Sequence, residues 1–370
     1  MSTAFIAPEI FTGHDIQTGK AVLTREGKII DIVPAGEIPS NFRTRDLPGQ
    51  LLAPAFIDLQ IYGGNGLLFS AELSTAALEA TYEYCLTGGC TQFMITLATN
   101  SIDKFLRGLE VAREYRNNGG KGLLGVHLEG PYINPAKRGA HLGKFIKTPT
   151  PEEIGLLLHK GKDIFRMMTL APECCDPACI DLLISNGIIV SAGHSNATYE
   201  EATAGFYSGI PAATHLFNAM SPLQGRQPGM LGAIYDNNDV RSSIVCDGVH
   251  VDFASVRISK KIMADRLFYI TDAVTEVQYG EYSHIFRGDR YTLPDGTLSG
   301  SSLTMLAAVR NGVENAGIPL PESLRMASTY PAAVLGEQDK RGCIRPGANA
   351  DLILLDDELN LVGVIVEGEE

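Results

Sequence analysis

Four ionisable residues stand directly after short apolar runs, and this placement constrains the chain more than any other feature. Glu129 follows 123–128 (LLGVHL), His194 follows 188–193 (IIVSAG), His215 follows 212–214 (AAT) and Asp272 follows 267–271 (LFYIT). Short apolar or β-branched runs read as strands buried on both faces. In a closed parallel barrel every strand ends at the same mouth, so residues placed just past four strands converge there.

Eight such runs alternate with helical stretches: 56–61, 91–97, 123–128, 165–170, 188–193, 212–216, 243–246 and 267–271. Helix starts lie between them. Thr150-Pro151-Glu152-Glu153 and Thr198-Tyr199-Glu200-Glu201 read as capping boxes, the first with proline at the first helical position, and Asp176-Pro177 opens a third helix. Gly88-Gly89, Gly161, Gly187 and Gly209 mark helix ends. The fold class expected is α/β, a (β/α)₈ TIM-like barrel; the alternative is a doubly wound open sheet, and a count of eight favours closure. The ends read differently. Residues 1–51 and 342–370 contain short strands and turns (21–25 and 28–33 around Glu26-Gly27; 350–355 and 362–366) and are each too short to bury a core. They are expected to combine into one small β-sandwich domain beside a barrel of residues 52–341.

With 370 residues, 45% of them hydrophobic, and a mean hydropathy of +0.04, the chain has the composition of an ordinary globular protein. A net charge of −13 argues against a nucleic-acid partner. It leaves room for a small anionic substrate held by local cations. No run of about 18 apolar residues occurs and the start carries Glu9 and no basic apolar leader, so the expectation is a cytoplasmic protein without a membrane partner. The seven cysteines (85, 90, 174, 175, 179, 246, 343) lack the paired spacing of a zinc ribbon and read as ordinary thiols.

Glu129, His194 and His215 supply one carboxylate and two imidazoles, a donor set common in catalytic zinc sites. The competing reading makes the histidines satisfied core residues and the glutamate a loop cap. Asp272 is suited to proton transfer, and equally to capping a helix. His141, in Arg138-Gly139-Ala140-His141, could stabilise an oxyanion or simply be an exposed loop residue. The glycine- and proline-rich segment 218–236 is long for a loop in a barrel, and Arg226 is its only cation, suited to phosphate. His250, after the seventh run, could assist. Gly63-Gly64-Asn65-Gly66 reads more simply as a turn than as an anion cradle.

Together the strings His127-Leu128-Glu129-Gly130-Pro131, Gly193-His194-Ser195, Thr214-His215-Leu216-Phe217-Asn218-Ala219-Met220, Asp247-Gly248-Val249-His250, Thr271-Asp272-Ala273 and Gly347-Ala348-Asn349-Ala350-Asp351-Leu352 resemble the N-acetylglucosamine-6-phosphate deacetylase family of the amidohydrolase superfamily, over nearly the whole chain. The resemblance implies one divalent metal ion per subunit, zinc or iron ahead of other divalent ions, on Glu129, His194 and His215. It implies Asp272 as general base and acid, and His141 as the group that polarises the acetyl carbonyl. Ala140, His141, Asn218, Ala219, Leu298, Ser299 and Gly300 would contact the sugar. Arg226 and His250 would bind its phosphate, with Arg226 reaching in from the neighbouring subunit of a homodimer. One departure stands out: where many superfamily members carry His-x-His at the first strand end, this chain reads Gln60-Ile61-Tyr62, and single-metal members usually carry asparagine at the position of Tyr62. The expected reaction is hydrolysis of N-acetylglucosamine 6-phosphate to glucosamine 6-phosphate and acetate. The rivals are another amidohydrolase, such as a cyclic amidase or a deacetylase for a different amino sugar, and a non-catalytic barrel that binds amino-sugar phosphates.

Overall fold

A computed structural model describes residues 2–47 and 49–369. Eight parallel strands pair in chain order in one sheet: β1 (Phe56–Ile61), β2 (Cys90–Ala98), β3 (Leu123–Glu129), β4 (Phe165–Leu170), β5 (Ile189–Ala192), β6 (Ala212–Ala213), β7 (Arg241–Ile244) and β8 (Leu267–Tyr269). The sheet closes just past β8. Asp272 N–H donates to Gln60 O at 3.0 Å, and Tyr62 N–H donates to Ala273 O at 2.9 Å. The barrel is therefore realised, and the open sheet is not.

Four strands end earlier than the apolar pattern predicts: β5 by one residue, β7 by two, and β6 and β8 ahead of a sharp turn. β6 stops at Ala213 rather than at 216, and β8 at Tyr269 rather than at 271. In both places the backbone leaves the extended region almost at once, with φ of 36° at His215 and 54° at Asp272. β7 begins two residues earlier than expected because Arg241 pairs with Ala212.

Helices cover the outside. Thr198 and Glu201 form a reciprocal capping box at the start of Tyr199–Tyr207. Thr150 caps Pro151–Gly161 through its hydroxyl alone. There the box is one-sided because Glu153 turns away to accept from Tyr132 (2.6 Å) and Lys147.

The small β unit is a sandwich. One sheet joins Lys28–Pro34, Lys20–Arg25, Ser2–Ile6 and Arg43–Asp46; the other joins Leu361–Ile365, Leu352–Leu355, Leu51–Pro54, Glu9–Phe11 and Ile16–Thr18. The second sheet is a shared wall, following the two-residue alternation of a strand. Leu52, Leu352 and Leu354 point into the sandwich core with Phe5, Ile10, Val22 and Ile29. Leu51, Ala53, Ile353 and Leu355 point into the barrel core. Its Glu26-Gly27 hairpin has positive φ at both central residues (50° and 71°), the geometry that matches strand twist. Gly63–Gly64 and Leu67–Leu68 form another small hairpin around Asn65-Gly66, which is a plain turn.

Candidate active site

At the mouth of the barrel the strand-end residues meet. Glu129, the last residue of β3, is buried at 1% exposure, and its two oxygens have separate partners. Oε1 lies 3.2 Å from His215 Nε2, 3.3 Å from His194 Nε2 and 3.0 Å from Gln60 Nε2. Oε2 accepts from the Tyr62 phenol and lies 3.1 Å from His141 Nε2. The two Nε2 atoms of His194 and His215 are 3.0 Å apart. His194, His215 and Asp272 all adopt left-handed backbone (φ 48°, 36° and 54°), as do Phe217 and Ala219 (77° and 49°). Such conformations are unfavourable for non-glycine residues and gather at sites where function demands a side-chain direction. Here they turn residues that would continue a strand into the barrel mouth.

Do these groups fit a cation? Ligand atoms of Glu129, His141 and His194 lie within 4.8 Å of one another, and His215 Nε2 joins them through the contacts above. The hydrogen-bond partners separate the three imidazoles. His194 Nδ1 lies 2.9 Å from Lys137 O, which can only accept, so its proton sits on Nδ1 and its Nε2 lone pair faces Glu129. Thr99 N–H donates into His141 Nδ1 at 3.3 Å, with Thr99 Oγ1 at 2.6 Å, so the neutral His141 carries its proton on Nε2. His215 Nδ1 is buried without a hydrogen-bond partner among the described residues. Two imidazole nitrogens at 3.0 Å facing one carboxylate oxygen suit a borderline divalent metal such as zinc or iron. His141 suits the role of donor.

Asp272 is 7% exposed and its Oδ1 accepts from Gln60 Nε2 at 2.8 Å. Burial raises its pKa to about 7; the nearby His215 lowers it and Glu129 raises it. A cation on the neighbouring ligands would favour the carboxylate. Burial also works against ionised Glu129, yet the electrostatic attraction and hydrogen bond of His141, with the His194 and His215 imidazoles close by, hold it well below the usual carboxylate range.

A cleft of about 280 Å³ opens over these groups. Ala140, His141, Asn218, Ala219, His250, Leu298, Ser299 and Gly300 all line it, with Glu129, His194, His215 and Asp272. His250 is held by Asp247, whose Oδ2 lies 2.6 Å from Nδ1. Arg226 does not line this cleft. It is exposed at the tip of a tight turn in which Gln224 and Gln227 bond each other (3.1 and 3.2 Å). Several wall residues escaped the sequence reading. Tyr282 and His284 belong to the stretch 274–300, whose strands are only two residues long (Ile285–Phe286, Tyr291–Thr292) and leave no periodic signal. Thr99 and Gln60 act through partners 42 and 69 residues away, respectively, which spacing cannot reveal.

The amidohydrolase family model matches residues 51–370, and a NagA composite domain model matches 4–52. The chain belongs to the amidohydrolase family. Within that family it is 38% identical to an N-acetylglucosamine-6-phosphate deacetylase of Haemophilus influenzae, over 100% of this chain and 99% of that protein. It is 32% identical to an N-acetylgalactosamine-6-phosphate deacetylase of Shewanella sp. (86% of this chain, 82% of that protein). The crystal structure of an N-acetylglucosamine-6-phosphate deacetylase from Pasteurella multocida superposes with a TM-score of 0.95 at 36% identity, covering 100% of this chain and 99% of that one. The chain thus belongs with the amino-sugar-phosphate deacetylases among the amidohydrolases.

Proposed function

We propose that this enzyme hydrolyses the acetamide of N-acetylglucosamine 6-phosphate, releasing glucosamine 6-phosphate and acetate. The observation that carries the reading is the meeting of Glu129, His194, His215, His141 and Asp272 in one cleft whose walls also present His250. Glu129, His194 and His215 would hold the cation, which when bound supplies Lewis acidity for the developing oxyanion and for acidifying water.

The chain's own groups then divide the work. His141 Nε2–H donates to the amide carbonyl oxygen. Asp272 takes a proton from the attacking water as the new C–O bond forms. It returns that proton to the amide nitrogen as the C–N bond breaks, and the amine leaves. Ala140, Asn218, Ala219, Leu298, Ser299 and Gly300 confine the sugar, and His250 binds the phosphate, so that binding away from the reacting carbon orients the amide. Arg226 would complete the phosphate site of a second subunit in a homodimer. Its exposure, its hydrogen-bonded turn and its place outside the lining of its own cleft support that assignment.

Residues 1–51 with 342–370 form the small domain in this reading, and residues 52–341 the catalytic barrel. A cytoplasmic setting is supported by seven free thiols. No helix among the described residues is long and apolar enough to cross a membrane. Acetate release from N-acetylglucosamine 6-phosphate, its galactosamine epimer and unphosphorylated N-acetylglucosamine tests the proposal. The first should be the fastest. Equal rates with and without the phosphate would remove the phosphate site, and a faster galacto epimer would reassign the sugar.

A further inference from the structure

Tyr62 stands beside the proposed metal site without an assigned role. Its ring is fixed in the cleft wall by Leu68, Val274, Val277 and Tyr282, and its phenol reaches Glu129 Oε2. Gln60 sets the direction of that bond. Its Nε2 faces Glu129 Oε1 (3.0 Å), Asp272 Oδ1 (2.8 Å) and the Tyr62 oxygen (2.8 Å). Turning the amide over would aim its carbonyl at two carboxylates, so the nitrogen must face them. The phenol proton is then directed to Oε2.

We propose that Tyr62 is a positioning residue whose phenol holds Glu129 Oε2, so that the carboxylate offers Oε1 alone to the cation and His141 is free to turn to the substrate. The proposal rests on the reading of Glu129 as a metal ligand. Oε2 has two partners, the Tyr62 phenol and His141 Nε2 at 3.1 Å. When His141 swings its N–H to a carbonyl oxygen, a buried carboxylate oxygen without another donor would be left unsatisfied, at a cost that opposes the step. The phenol removes that cost. Partners outside the ligand set also orient the ligands, and their loss commonly weakens metal binding by 10–100-fold.

The test compares Tyr62→Phe, which keeps the ring, with Tyr62→Leu, which loses ring and phenol together. Zinc affinity is read by competition with a chromogenic chelator, metal-free thermal stability by calorimetry, and kcat and KM at saturating zinc. Tyr62→Phe should weaken zinc by about 10–100-fold. It should lower kcat while leaving KM for the sugar phosphate unchanged, and its metal-free melting temperature should match the wild type. Wild-type zinc affinity and kcat in Tyr62→Phe would overturn the proposal, and so would a defect confined to Tyr62→Leu, which would assign the residue to packing alone. A wild-type chain that binds no zinc would instead overturn the ligand assignment on which the proposal stands.

Discussion

The two ends of the substrate's proposed path are built differently. The reacting end is finished within one chain: Glu129, His141, His194, His215 and Asp272 are each at most 7% exposed and are tied to one another or to Gln60, Tyr62, Thr99 and Lys137. The phosphate end is only half built. His250 is anchored by Asp247 inside the cleft, whereas Arg226 stands outside it on an exposed turn and has no ion pair among the described residues. Groups that must hold a reacting geometry are fixed by burial and mutual hydrogen bonds. A group that needs only to meet a charge can be delivered by an exposed loop from elsewhere.

The contrast can be broken at the reacting end first. Asp272→Asn should retain one metal ion and lose about 10²–10⁴-fold in turnover, because it removes a proton-transfer group and leaves the ligands in place. Metal content and acetate release on the same sample check this. Loss of the metal along with the activity would make Asp272 a ligand instead. His141→Gln should cost about 10²–10³-fold in kcat, the usual loss for one oxyanion donor, with metal again retained.

The phosphate end should respond more weakly and differently. Arg226→Ala should raise KM for the 6-phosphate about 10–100-fold, the loss of a charge-assisted contact, and leave hydrolysis of the unphosphorylated sugar unchanged. Mixing Arg226→Ala with Asp272→Asn subunits sharpens the point. If the arginine acts across a dimer, mixed dimers contain one cleft with an intact aspartate and an intact donated arginine, and activity returns. Absence of rescue would place Arg226 in its own subunit's site or outside function.

The cleft wall should show itself in stability rather than in turnover. Burial pushes the His284 imidazole down to about 4, against a weaker opposing hydrogen bond to the Ser299 backbone. Between about pH 6.5 and pH 4 the unfolded chain therefore binds more protons than the folded one, and stability rises with pH. The contribution is fully present above about 6.5 and is lost as pH falls toward 4, an effect on the order of 3 kcal/mol at about 1.4 kcal/mol per unit. His284→Gln should flatten that part of a denaturation profile taken against pH. An unchanged slope would show that His284 is solvated in the folded state.

Much of this architecture was readable because buried parallel strands are continuous apolar runs, and because Glu129, His194, His215 and Asp272 stand at or just past the ends of four of them. The left-handed turns at His194, His215 and Asp272 were not readable, since none is a glycine and only tertiary demands hold them there. Nor was the pairing of Tyr62 with Glu129, 67 residues apart, although Gln60-Ile61-Tyr62 was visible as a departure from family usage. The wall at 274–297 was silent because its strands are too short to show a period.

One cation, held by Glu129, His194 and His215, is proposed to work with Asp272 on a sugar phosphate. Titrating zinc into metal-free protein, while following acetate released from N-acetylglucosamine 6-phosphate, tests it most directly. Activity should climb linearly and level off at one equivalent per chain, and should be absent from His194→Ala at the same zinc. Full activity in metal-free protein, or a plateau only at two equivalents, would rule out a single-metal site.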